Sequence, residues 1–412
     1  MKKTTLRKYA KLIAKVGANV RKGQPVQITA SPESHEFVAM VAEECYRLGA
    51  KYVNVEWRYQ PLTKLAFRWQ SVKTLSTLPG WQKEKQKFIS EELPCRIFIS
   101  SDDPDGLRGV NTEKMQKVNA AIYPILKPYR DAMESKHQWT IAAVPSEKWA
   151  KKVFPDLPKN RAVEALWDAI LKSVHVSDDP EGDPVLEWYR HNENFKARCA
   201  WLNKKKFDYL TYKSSNGTDF RCDLLPRSRW CGGGETTVQG VYFNPNMPTE
   251  EIFTSPKAGA CEGTLVATKP LSTQGQIIRD FRIRFEGGKA VEWHAAEGEE
   301  LLGHIINMDE GASKLGELAL IPCDSPINNS GILFYETLFD ENASCHVALG
   351  RGFNDCVDGY PNVTNEECRE LGINDSMIHL DFMIGAPDMD ITGYKNGKAT
   401  PVFKNGEWAF KV

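Results

Sequence analysis

Residues 207–222 read Phe-Asp-Tyr-Leu-Thr-Tyr-Lys-Ser-Ser-Asn-Gly-Thr-Asp-Phe-Arg-Cys, and with them the pattern of the chain changes. Two short alternating runs flank Ser214-Ser215-Asn216-Gly217, and Asn-Gly between such runs signals a hairpin. Asn396-Gly397 and Asn405-Gly406 mark further turns, and Gly287-Gly288 separates the runs 281–285 and 291–293. One helix is expected near 297–308. This half therefore reads as a mixed, mostly antiparallel α+β domain.

Upstream the grammar is different. Leu6, Tyr9, Leu12, Ile13 and Val16 recur at helical spacing on a Lys/Arg-rich background. Strand-like runs at 25–30, 52–55, 96–100 and 139–144 alternate with helical stretches at about 34–48 and 111–134. Strands alternating with long helices predict right-handed βαβ units on a mainly parallel sheet, an α/β N-terminal domain. There is no Gly-x-Gly-x-x-Gly and no Walker-type loop to support nucleotide binding. A charged helix over about 183–206 closes this part, so the expected division is 1–206 and 207–412.

The 412 residues carry a net charge of −1, with 41% apolar and 26% charged side chains, an ordinary composition for a globular protein. No apolar run approaches the roughly 20 residues that span a bilayer, and the N-terminus has no secretory apolar core. Residues 1–200 hold 33 Lys+Arg against 24 Asp+Glu, whereas 201–412 hold 20 against 30. An acidic second half suits divalent metals or cationic substrates. The basic residues of the first half are dispersed, which argues against nucleic acid. Ten scattered cysteines without a Cys-x-x-Cys pair read as reduced thiols in a cytoplasm.

The candidate chemistry lies in the acidic half. In His379-Leu380-Asp381, residues i and i+2 of a strand face one side, so imidazole and carboxylate converge. Mixed nitrogen and oxygen ligands suit zinc, manganese, cobalt or iron, although a structural His–carboxylate hydrogen bond has the same spacing. The segment 340–346, Asp-Glu-Asn-Ala-Ser-Cys-His, brings Glu341 and His346 after a strand-like run at 332–335. Cys345 and His346, as neighbours on a strand, point to opposite faces and do not form a nucleophilic pair. Glu317 interrupts an apolar strand-like stretch and needs a cation, either Arg/Lys or a metal, because an unpaired buried carboxylate costs several kcal/mol. Glu251 reads either as a ligand or as helix-start chemistry. Two His and several carboxylates could hold two divalent ions that activate a bridging water, the chemistry of a metallohydrolase. The remaining histidines, and the loop 231–235, read as packing or surface features.

The runs TEEIFTSP (249–256), GELAL (316–320), TLFDENASCHVALG (337–350) and GINDSMIHLDFMIG (372–385) resemble the thermophilic-type metalloaminopeptidases, the family of aminopeptidases T and S and PepS. The openings LRKYAKLIAKVGANVRKGQPVQI (6–28) and LGAKYVNVEW (48–57) are similar to that family's N-terminus. The resemblance spans essentially the whole chain. It implies a cytoplasmic, homodimeric, two-domain exopeptidase acting on short peptides with a free N-terminus. It also implies two divalent ions (Zn, Co, Mn or Mg) in the second domain. The implied ligands are Glu251, Glu317, Glu341, His346, His379 and Asp381, with Glu317 shared and Glu341 a ligand or the catalytic base. Family members often carry a Tyr seven residues beyond the first His, where this chain has Phe353, and Tyr360 is the nearest alternative phenol. Two other readings stand beside it. One is a mononuclear non-haem iron dioxygenase on His346, His379 and Asp381; the other is a binding protein with weakened catalysis.

Overall fold

A computed structural model describes residues 1–273 and 275–412. It divides into two compact units: residues 1–190 with 234–248, and residues 191–233 with 249–412.

The first unit holds a four-stranded sheet, parallel throughout, in the order Tyr52–Trp57, Pro25–Ala30, Cys95–Ser100, Trp139–Ala143. The expected helices are present as Lys3–Leu12, His35–Arg47 and Thr112–Met133. The second starts after Pro32–Ser34 and ends before Gly49, whose φ of +91° suits a residue without a Cβ. The third is capped by Asn111, whose side chain accepts from the Lys114 amide. Val26, Ile28, Ile97 and Ala142 form the buried middle of the sheet.

The second unit is mainly antiparallel. Tyr209–Lys213 and Asp219–Leu224 form the expected hairpin, with Gly217 at φ +103°. Gln276–Glu286 pairs with Lys289–Glu297 across Gly287-Gly288, and a helix follows at Glu299–Ile306. Asn396-Gly397 and Asn405-Gly406 have positive φ at both residues, the backbone twist that lets adjacent strands fold back. These strands belong to a nine-stranded sheet. A separate five-stranded sheet carries the candidate ligands.

Two expectations need correction. The expected boundary at 206/207 lies inside the second unit, because the helix Pro184–Lys205 continues through residue 190 without a linker. Trp188, early in this helix, is buried in the first unit and donates to the Val174 carbonyl at 2.8 Å, whereas Phe195 and Leu202 join the second unit's core. Periodicity reveals the helix but not which core takes each turn. Residues 234–248 also return to the first unit, where Ile141 donates to Pro245 and Met247 donates to Ile141. The run 332–335 is not a strand: Phe334 is buried, and Tyr335 has φ +58°, which breaks extended pairing.

Gly316 precedes Glu317 on a strand buried on both faces, and a Cβ there would lie 2.3 Å from the Arg351 carbonyl oxygen. Neither backbone can yield without disturbing the sheet. Gly316→Ala should therefore destabilise the protein by about 1–3 kcal/mol, as overpacking does elsewhere. Chemical denaturation checks this, and an unchanged midpoint would contradict the packing described.

Candidate metal centre

The five-stranded sheet runs His379–Met383, His346–Gly350, Leu315–Leu320, Ile252–Thr254, Cys231–Gly232, each pair antiparallel. Its register assembles the site. Ala348 lies opposite Glu317 on one side and Asp381 on the other, so three residues in one row share a face. A methyl group between the two carboxylates leaves room for both. His346 and His379 stand two residues from this row on their strands and therefore face the same way. Glu251 directly precedes Ile252–Thr254 and begins no helix, which settles its alternative reading.

Two overlapping triads result. One ligand atom from each of Glu251, Glu317 and His346 lies within 4.8 Å of the other two, and the same holds for Glu317, His379 and Asp381. Glu317 belongs to both. His346 Nε2 is 3.3 Å from Glu251 Oε2, and His379 Nε2 is 3.0 Å from Glu317 Oε2 and 3.2 Å from Asp381 Oδ1. Each imidazole turns its other nitrogen to a backbone carbonyl: His346 Nδ1 to Glu341 at 2.9 Å, His379 Nδ1 to Arg351 at 2.7 Å. A ring that donates from Nδ1 presents Nε2 as a lone pair, the tautomer a metal takes.

Glu251, Glu317, Glu341, His346 and Asp381 are buried, and His379 is the exposed one of the six. Burial pushes the Glu317 carboxyl up to about 7, with Glu251 and Asp381 adding to the rise and His379 opposing it. Burial likewise drives Glu341 well up, reinforced by Asp381, Glu251 and Glu317. Burial would lower His346, but the hydrogen bond and charge of Glu251 outweigh it and hold the imidazole at about 9. Burial would raise Asp381, yet the charge of His379 keeps it below its ordinary value. The carboxylates thus draw positive charge from wherever they can, as protons on two imidazoles and on each other.

A divalent ion fits this arrangement. Asp381 Oδ1 is buried with no well-aligned hydrogen bond, its nearest cation being His379 Nε2 at 3.2 Å, which bonds Glu317. A carboxylate oxygen so placed, beside two imidazoles and two further carboxylates, belongs to a donor set for zinc, cobalt or manganese. Glu341 lies outside both triads. It lines, with Asp381, a small cleft closed by Pro270, Leu271, Asp340 and Met383.

Two supporting residues were not singled out by the sequence. Asn342 accepts from the Glu250 amide at 2.7 Å and donates to Leu338, tying the Glu251 segment to the Glu341 segment. Asp340 accepts from the amides of Phe334 and Glu336, closing the turn that precedes Glu341. Only their place inside the motif hinted at these roles. Cys345 lies against the backbone of Ile321 and away from His346, as its strand position predicts. Phe353 packs its ring 4.8 Å from that of His379 and 5.4 Å from Phe253, while its amide donates to Ser255 Oγ. Tyr360 packs instead with Leu225, Val357 and Val363 in a satellite core.

Comparison with known proteins places the chain in a family. The family described as thermophilic metalloprotease (M29) matches residues 2–408. Aminopeptidase T of Thermus thermophilus is 38% identical over 411 residues, covering 98% of both chains. Aminopeptidase AmpS of Bacillus subtilis is 38% identical, again over 98% of each. The solved structure of wild-type AmpT from Thermus thermophilus superposes with a TM-score of 0.90 at 37% identity, covering 99% of this chain and 100% of that one. Fold, motif order and full-length similarity point the same way: the chain belongs to the thermophilic metalloprotease family M29.

Proposed function

We propose that this metalloaminopeptidase hydrolyses the N-terminal peptide bond of short peptides at a dinuclear centre. Glu251, Glu317 and His346 would hold one ion, Glu317, His379 and Asp381 the other. The observation that carries this reading is the place of Glu317 in both triads. When bound, two such ions polarise a carbonyl and lower the pKa of water toward neutrality.

The chain's own residues account for the rest. Glu341 sits beside the cluster, with a carboxyl that burial has made more basic. Such a group can accept a proton from the attacking water and hand it to the departing amine. The substrate's α-ammonium is drawn by the carboxylate surplus. Two imidazole ligands favour zinc, cobalt or manganese over magnesium. The mononuclear oxygenase reading gives way, since His346 and His379 fall in different triads and the family is a hydrolase.

We place the enzyme in the cytoplasm, where its ten cysteines would remain reduced. Among the described residues no helix is long and apolar enough to cross a membrane. A homodimer is the assembly we favour, from the opposite charges of the two chain halves. Sedimentation at physiological salt should give twice 46.5 kDa, and a species of 46.5 kDa alone would exclude the dimer.

Replacing Glu317 with Gln keeps the shape and removes the shared charge. Metal content and turnover should both collapse, beyond the roughly 10–100-fold typical of supporting residues. A folded Glu317→Gln protein with full metal and normal kcat would sink the assignment.

Phe353 offers a second test, since the ring beside His379 lacks the hydroxyl often found there. Phe353→Tyr should raise kcat without changing metal content, by up to the roughly 10²–10³ that one oxyanion donor supplies. Tyr360→Phe, in its satellite core, should leave kcat unchanged. The opposite pattern would assign the hydroxyl to Tyr360. No response from either would mean that no phenol acts in this enzyme.

A further inference from the structure

Cysteines that are far apart in sequence meet at the edge of the five-stranded sheet. Cys231 lies on the edge strand Cys231–Gly232, and Cys356 ends the short helix Asn354–Cys356. The backbone clamps the two segments: Arg229 donates to the Cys356 carbonyl at 2.8 Å, and Ser228 bridges Val357. Cys231 Sγ also lies 3.5 Å from the Asp355 carbonyl oxygen. The two sulfurs and a carboxylate oxygen of Asp355 lie within 4.8 Å of one another. Cys356 is fully buried, while Cys231 and Asp355 are half-buried and reachable from solvent. Cys199 stands near enough for Cys231 to act on its thiol.

We propose that Cys231, Cys356 and Asp355 form a third metal site, sharing no ligand with either triad and selective for thiophilic divalent ions such as zinc, cobalt or cadmium. Zinc accepts both cysteine sulfur and aspartate oxygen, and a water or a further thiol would complete its usual four ligands. Hard ions such as magnesium and manganese prefer oxygen and leave thiols protonated. Binding is proton-coupled: as each metal–sulfur bond forms, that thiol loses its proton, so two protons leave per ion. Burial raises the Cys356 thiol, so only an ion with strong affinity for sulfur displaces its proton.

The site also bears on the centre described above. Cys356 is three residues beyond Phe353, which packs on His379. An ion that pins Asn354–Cys356 to the sheet edge would steady the Phe353 ring against that ligand.

Cobalt distinguishes this site from the nitrogen and oxygen triads, because only thiolate ligands give sulfur-to-cobalt charge-transfer absorption in the near ultraviolet. Co²⁺ added to the full chain under a non-thiol reductant should produce that band, saturating at one sulfur-bound ion per chain. Cys231→Ser should abolish the band, as should Cys356→Ser, while Cys323→Ser, at a half-buried cysteine elsewhere, should keep it. If Cys356→Ser fails to fold, Cys231→Ser at the half-buried position decides the matter. Folded protein that takes up cobalt without the band, or a band that survives in Cys231→Ser, would overturn the proposal. Either result would leave the dinuclear reading intact, since its ligands contain no sulfur.

Discussion

A carboxylate on a strand buried on both faces must meet positive charge, and Glu317 is that carboxylate. Left alone it would cost several kcal/mol. No Lys or Arg forms an ion pair with it among the described residues; its charged partner is His379, with Glu251 and Asp381 adding more negative charge nearby. Buried ionic groups are often no more stabilising than well-packed apolar ones, so the proposed role of Glu317 in holding a cation gives its presence in the sheet a reason that packing alone does not.

The sheet converts this one requirement into a site. Antiparallel pairing puts Glu317, Ala348 and Asp381 in a row, and the two-residue period brings both histidines onto the same face. A one-residue slip of either strand would send its ligands to the opposite face. Gly316, whose missing Cβ lets the Arg351 carbonyl approach, guards that register, and the same carbonyl orients His379. Packing and chemistry therefore share atoms here.

Much of this was legible from residue order alone. Paired turns such as Asn396-Gly397 announce hairpins because they need positive φ at both positions, and alternating helices and strands announce a parallel sheet. His379 and Asp381 were readable as a pair because strand geometry is local. Other features were not, for physical reasons. The helix Pro184–Lys205 serves two cores, and nothing in its periodicity says where one ends. The register that sets Glu317 beside Asp381 depends on pairings over long sequence separations. Asn342, which ties two ligand segments together, and the meeting of Cys231 with Cys356 are likewise consequences of tertiary folding.

The central claim is that Glu317 is shared between two ions, and diffraction at the manganese absorption edge tests it most directly. Manganese is hard enough to avoid the thiols and fits the nitrogen and oxygen donors. Crystals of the manganese-loaded protein should show two anomalous peaks per chain, with Glu317 ligating both, Glu251 and His346 on one, and His379 and Asp381 on the other. A single peak, or two peaks that do not share Glu317, would contradict the account.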